Sequence, residues 1–367
     1  MATISLCMIV RNEEKVLARC LESARDIADE IIIADTGSED RTKEIALSFG
    51  AGVYDFPWID DFSAARNFAF SKAECDYQLW LDADDVIEGE NRERFLRLKD
   101  GLTADVVMLP YEAGFDSDGR ASLVYYRERL LRRDRGFKWV GAVHECIAPA
   151  GNIIYGDAAV AHRKEGTGSG GRNLRIYHRL KADGHEFTAR ELYYYGRELA
   201  DNKAYKAAVS VFHEYLSRSD CWIPDCQESC LRMSDCYRAI GDSFRADEAI
   251  VQSLIYGSPT AEICCRMGEI RIRQQNYQGA AFWYKAALLS AESAPFQVFS
   301  RPEYSRFIPS VQLCLCYDRM GMTEESYRWH KKAMEERPEH PACRYNEEYF
   351  RGKEIIIKTW KGENYGI

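Results

Sequence analysis

The chain changes rhythm once. Up to about residue 165, short β-like runs alternate with stretches of helical periodicity. Beyond the glycine-rich, basic segment HRKEGTGSGGRN (162–173), strand signals stop and everything reads as helix. In the first part TISLCMIV (3–10), EIIIADTGSED (30–40), AGVYDFPW (51–58) and YQLWLDADD (77–85) read as strands entering polar turns. Between them lie RNEEKVLARCLESAR, RTKEIALSFG and DDFSAARNFAFSKA, with apolar residues at helical spacing. This βα succession predicts a parallel sheet with helices on its faces. Ligands of such sheets bind beyond the carboxyl ends of the strands.

The second part carries an internal repeat. Gly196, Tyr205, Ala208 and Phe212 share their mutual spacing with Gly268, Tyr277, Ala280 and Tyr284. Ser234, Ala246 and Ile250 fit the same frame, and Cys314, Ser326 and His330 fit it more loosely. Small residues at fixed offsets let paired helices approach closely, which is the packing of tetratricopeptide repeats; an irregular helical bundle is the plainer alternative. At 367 residues the chain is long enough for two domains.

Composition narrows the partners. A net charge of −9 argues against nucleic acid, and no apolar run is long enough to span a membrane. The start MATISLCMIVRNEE has no basic n-region and reads as a first strand. Thirteen cysteines, with no CxxC pair, sit mostly where small apolar residues are needed. They read as reduced, buried thiols of a cytoplasmic protein.

Chemistry gathers at the strand ends. YQLWLDADDVIEGE (77–90) ends an apolar run in Asp82, Asp84 and Asp85, whose mutual repulsion needs a cation or donor groups nearby. The plain alternative is that Asp85 caps a helix. Side chains along an extended chain point at the faces of the sheet, so Asp82 and Asp84 both face the mouth only if the strand has already turned. Their hard oxygens suit Mg²⁺ or Mn²⁺ bridging a diphosphate. Asp35 can accept hydrogen bonds from a base or ribose, or simply close an Asx-turn. Arg66, one turn into its helix, can reach phosphate or form a surface ion pair. His144 and Glu145 end a short apolar segment and could supply a general base or a metal ligand. His162 follows another strand-like run, as a structural histidine or a ligand.

SLCMIVRNEE, DTGSEDRT, FSAARNFAF, WLDADD and WVGAVHE, in this order, resemble family 2 glycosyltransferases with the GT-A fold. The resemblance covers about residues 1–165. It implies an α/β, Rossmann-like nucleotide-sugar domain there, followed by a loop or linker at 166–187, an all-α helical-repeat domain at 188–350 and a tail at 351–367. The fusion looks most like sublancin-type peptide S-glycosyltransferases, which modify cysteines of bacteriocin peptides. By the family pattern Val10, Arg11 and Glu13 cradle uracil, Asp35 bonds base or ribose, and Arg66 steadies the nucleotide. Asp82 and Ala83 of the DxD motif then lie against the donor, while Asp84 and His162 hold Mg²⁺ or Mn²⁺. The family's base motif ends in Glu-Asp. Here the chain has His144-Glu145, so Glu145 is expected as the base and His144 as a substrate or metal contact. The QxxRW motif of processive synthases is absent, which fits transfer of one or a few sugars.

The function implied is inverting transfer from a UDP-sugar to a peptide or protein. Three other readings stay open: transfer to a surface glycan or lipid-linked saccharide, a sugar-nucleotide sensor on a repeat scaffold, and a nucleotidyltransferase. The repeats read as an acceptor surface or as a homodimer contact. The segment 164–172, with four glycines and two basic residues, reads as a lid over the diphosphate.

Overall fold

The structure, a computed structural model, describes residues 2–165, 171–292 and 299–352. The first strands are β1 (Ile4–Val10), β2 (Glu30–Asp35), β3 (Gly52–Asp55) and β4 (Tyr77–Trp80), joined through α1 (Leu17–Ala24), α2 (Thr42–Ser48) and α3 (Phe62–Phe70). They pair in parallel in the order β3-β2-β1-β4. Both faces of β1 are covered, which is why ISLCMIV is apolar at nearly every position. Ile4, Leu6, Met8 and Val10 enter the core beneath α1, whose Leu17, Cys20, Leu21 and Ala24 recur at helical spacing. Cys7 enters the opposite core with Ala69 and Phe70 of α3, Trp80 and Trp139. Each large apolar side chain so buried contributes about 1.5–3 kcal/mol.

Beyond β4 the sheet departs from the parallel expectation. After β5 (Asp85–Val86) and α4 (Glu90–Asp100), β6 (Val106–Phe115) and β7 (Ala121–Arg132) form a long antiparallel pair. The connection at 116–120 is a tight turn closed by the Asp116 side chain on the Asp118 and Arg120 amides. So short a link cannot carry a parallel crossover, and β7 therefore meets β4 antiparallel. Two short strands follow, β8 (Ile153–Tyr155) and β9 (Val160–His162), both parallel to β6. β5 pairs antiparallel with β9, with Asp85 opposite His162.

Packing divides the chain into two units, Met1–Asp242 with Phe296–Ser300, and Ser243–Pro295 with Arg301–Ile367. The first therefore includes α5 (Arg172–Ala182), α6 (Ala189–Asp201), α7 (Tyr205–Leu216) and α8 (Ile223–Ala239) as well as the sheet. Much of the stretch read as a linker is thus the helix α5. Residues 166–170, the heart of the expected lid, and most of the tail, from 353, lie outside the described residues. α6 starts at a capping box, with Thr188 and Glu191 each satisfying the other's amide.

The second unit contains α9 (Ser243–Ser253), α10 (Ala261–Arg273), α11 (Tyr277–Glu292), α12 (Phe307–Arg319), α13 (Thr323–Glu336) and α14 (Pro341–Gly352). The helix pairs are tetratricopeptide-like, and the repeated glycines show why. A Cβ on Gly196 would lie 2.7 Å from the Phe212 ring, and one on Gly268 would lie 2.6 Å from the Tyr284 ring. Each glycine thus lets the aromatic ring of the next helix settle onto its backbone. In the looser fourth instance, Ser326 Oγ donates to the Cys314 carbonyl at 2.7 Å.

Alanine for glycine within a helix ordinarily stabilises by about 1 kcal/mol. At Gly268 the added methyl meets a fully buried ring. Gly268→Ala is therefore expected to destabilise the chain by about 1–3 kcal/mol in urea unfolding. A variant more stable than the parent would contradict this packing.

Candidate active site

Asp82, Ala83 and Asp84 are not part of a strand. β4 ends at Trp80, and the Asp85 amide closes a turn on the Asp82 carbonyl at 3.0 Å. The turn is fixed from beneath by Asp85, which is fully buried and caps no helix. Its Oδ2 accepts from Arg129 and from the Asp82 amide, both at 3.0 Å, and its Oδ1 accepts from the Tyr111 hydroxyl at 2.9 Å. Arg129 is itself fully buried, 3.8 Å over the Trp80 ring and 4.5 Å over Tyr111.

On this base the expected site residues fall into three groups. Asp84 and His162 meet: His162 Nδ1 lies 3.3 Å from oxygens of both Asp84 and Asp85. The Arg163 amide, donating to the Asp84 carbonyl at 2.8 Å, holds this edge of the turn. Burial disfavours a charged imidazole, but the two carboxylates outweigh it and push the His162 pKa up to about 10. The pocket draws a positive charge to the place where a cation would sit. Donor atoms of Asp84, Asp85 and His162 lie within 4.8 Å of one another, a set that fits a divalent ion. Asp85 already serves Arg129, Tyr111 and the turn, which leaves Asp84 and His162 as the less committed members of the set.

Arg66 forms the second group. It is buried between Trp80 and Trp139, about 5 Å from each ring. Its Nη2 donates to Asp82 Oδ1 at 2.7 Å and its Nε to Glu145 Oε1 at 2.5 Å. Burial pushes the Asp82 carboxyl up, but the Arg66 guanidinium prevails and holds it down at about 2. Arg66 thus ties the DxD turn to the loop that carries Glu145.

The third group lies where β1 and β2 end, with Val10 in register with Asp35. The Val10 carbonyl accepts the Thr36 amide and hydroxyl. Asp35 is buried, and its Oδ2 accepts the Gly37 and Ser38 amides at 3.1 and 2.9 Å, with Lys43 at 3.5 Å. Its Oδ1 is buried and has no partner among the described residues, an acceptor suited to a ligand N–H or hydroxyl. The Asx-turn and the binding role are therefore compatible. Glu13 is pushed up to about 7, first by burial and then by Asp84 and Asp82. Arg11 is exposed beside it, and Ala83 packs its methyl into the core.

His144 stands apart from these groups. Its φ is +52°, its ring stacks on Tyr194 at 4.3 Å, and its Nε2 lies 2.8 Å from Glu198 Oε1. Asn173 donates to the same Glu198 oxygen, and Arg190 donates to the His144 carbonyl at 3.2 Å. Gly141, at φ +102°, and a bridge between Val140 and Cys146 close the loop on its other side. Sequence reasoning gave no role to Arg129, Tyr111 or Glu198, and Arg172 entered it only as one of the two basic residues of the expected lid. Arg172 starts α5, stacks on Phe62 at 4.7 Å and feels the charges of Arg11, Glu13 and Glu145. An arginine inside the apolar end of β7 was the one available signal for Arg129.

Comparison with known proteins bears directly on this arrangement. Residues 5–151 match the family model Glycosyl transferase family 2. These residues are a family 2 glycosyltransferase domain. The glycosyltransferase SunS of Bacillus subtilis is 31% identical over 154 residues, 39% of this chain and 34% of that protein. A TPR repeat-containing protein of Synechococcus elongatus is 55% identical over 87 residues, 24% of this chain and 22% of that protein. Among solved structures, glucosyl-3-phosphoglycerate synthase from Mycobacterium tuberculosis is 23% identical, with a TM-score of 0.26 over 30% of this chain and 44% of that one. The chain spans about a third or less of the length of these curated relatives.

The buried pair sets an energetic contrast within the DxD turn. Asp85→Ala strands Arg129 and should cost about 3–5 kcal/mol in urea unfolding. Asp84→Asn, at a partly exposed carboxylate, should change stability by less than about 1 kcal/mol. Equal losses would contradict a division into buttress and ligand.

Proposed function

We propose that the chain is an inverting, metal-dependent glycosyltransferase that moves a sugar from a UDP-sugar to a cysteine, serine or threonine of a peptide or protein. The observation that carries this reading is the meeting of Asp84 and His162, with a buried, half-satisfied Asp35 at the end of β2, within residues that match the family 2 model. A peptide acceptor is favoured by the likeness to SunS and by the tetratricopeptide-like helices, whose stacking suits an extended chain. In this reading 1–165 is the catalytic module and 188–350 the repeat module. The thirteen free cysteines fit a cytoplasmic setting. Among the described residues no helix is long and apolar enough to cross a membrane.

Each group then has a task. Val10, Arg11 and Glu13 border the uracil, and the unpartnered Asp35 oxygen accepts from base or ribose. Asp84 and His162 would hold Mg²⁺ or Mn²⁺, which would supply positive charge to the departing diphosphate. Arg66 fixes Asp82 and Glu145 relative to each other. Among the described residues Glu145 Oε2 makes no hydrogen bond, and in this reading it takes the acceptor proton. His144, held by Glu198 and Tyr194, sets the loop that presents Glu145. A cysteine acceptor would need little basic help, because thiols ionise more readily than alcohols.

Two measurements test these roles. Asp84→Asn should abolish UDP release from UDP-sugar, with EDTA having the same effect on the parent; full activity in EDTA would remove the metal. Glu145→Gln should lower turnover onto an alcohol acceptor by about 10²–10⁴ with UDP affinity little changed. An equal loss of UDP affinity would make Glu145 a binding residue.

A further inference from the structure

Beside the catalytic loop lies a cluster of charge that the reaction as described does not use. α6 presents Arg190, Tyr194 and Arg197 at helical spacing, on one face. Arg190 lies 4.7 Å over the Tyr194 ring, and its Nη2 reaches the His144 carbonyl. Arg197 lies 5.2 Å over the same ring, 5.6 Å over Tyr193 and 5.7 Å over Phe299. Arg127, from β7, is paired with Glu128 and stacks 4.6 Å over Trp80. It adds a third guanidinium, and the charges of Arg127 and Arg190 both reach Cys146, the residue after Glu145.

Arg197 is the anomaly. Among the described residues its guanidinium makes no hydrogen bond or ion pair, and its Nε is buried without an acceptor. The Tyr193 hydroxyl beside it is also buried and unpartnered. Asp225 of α8 is buried nearby, without a hydrogen bond to either arginine. Burial pushes its carboxyl up to about 7 even though Arg190 and Arg197 pull it down. Glu228 and Asp201 also act on Arg197 by charge, yet among the described residues no carboxylate hydrogen-bonds its guanidinium. Stacking on three rings compensates a guanidinium for some lost hydration, but leaves its planar N–H fork unused. Such a fork, walled by aromatic rings, matches an oxyanion approached from the open side.

We propose that Arg190 and Arg197, with Tyr194 between them, form an acceptor subsite that receives an oxyanion of the peptide, next to the residue that takes the sugar. Either an acidic side chain or a phosphate monoester supplies that chemistry. The inference rests on the peptide-transferase reading. It adds selection for an acceptor with an anionic neighbour, through the same helix that holds His144.

The test uses the full chain with UDP and Mn²⁺, and fluorescent glycine-rich peptides carrying one cysteine. The peptides differ only in having glutamate, phosphoserine or glutamine at each flanking position in turn. At one position the glutamate or the phosphoserine peptide should bind about tenfold more tightly than the glutamine peptide, as for one charge-assisted hydrogen-bond pair. Whichever of the two gains more identifies the oxyanion. Arg197→Gln should bring the anionic peptides to parity with glutamine, and Arg197→Lys should keep part of the preference. Equal binding of all three peptides by the parent chain overturns the subsite without any variant and leaves Arg197 to buried water. An anionic preference that survives both Arg190→Gln and Arg197→Gln overturns it as well. UDP release from UDP-sugar, measured separately, reports on the transferase reading alone. A preference without UDP release would retain the anion subsite and sink that reading.

Discussion

The buried pair of Asp85 and Arg129 is the constraint on which the site depends. Neither side chain is exposed, and both come from segments that would otherwise repel or dissolve. Such a pair adds little net stability, because desolvating two charges offsets most of their attraction. Its effect is geometric. Asp85 accepts from β7 through Arg129, from β6 through Tyr111 and from its own turn through the Asp82 amide. Three segments are thereby fixed around one carboxylate. Asp82 is left facing Arg66 and Asp84 facing His162. The acidic run that looked unfavourable in the sequence is one buried carboxylate, one paired carboxylate and one that shares a histidine.

Arg66 extends the same logic across the site. Sandwiched between two indoles, it can rotate little, so its bonds to Asp82 and Glu145 set the separation of the DxD turn and the Glu145 loop. The Glu145 loop has a second anchor in α6, where Glu198 and Tyr194 hold the His144 ring. The packing unit that contains the catalytic domain accordingly runs on to Asp242. The first tetratricopeptide-like pair, α6 and α7, is part of the scaffold of the site. A fragment ending near residue 175 would cut α5 and remove both partners of His144.

Much of this was legible in the sequence because the signals were local. An apolar run stopping at DADD, the Asp35 turn and the repeated glycine-aromatic spacing each reflect backbone geometry within a few residues. The need for a turn at Asp82–Asp84 followed because strand side chains point at the faces of a sheet and not beyond its end, and the turn is there. The antiparallel β6 and β7 were missed because period-two patterning is the same for either direction, and only the short connection distinguishes them. α5 was hidden by the glycines that precede it. His144 could not be placed, since its orientation depends on a positive φ and on Tyr194, fifty residues away in the chain. Arg129 reads as one more surface charge until its burial beside Asp85 is seen.

The central claim is that Asp84 and His162 form a divalent-cation site completed by a nucleoside diphosphate. Electron paramagnetic resonance of Mn²⁺ titrated with the full chain tests it most directly. Weak binding alone, tightened strongly by UDP to one ion per chain and lost in His162→Ala, is the result this account requires. Mn²⁺ binding that ignores UDP, or that survives His162→Ala undiminished, would contradict it.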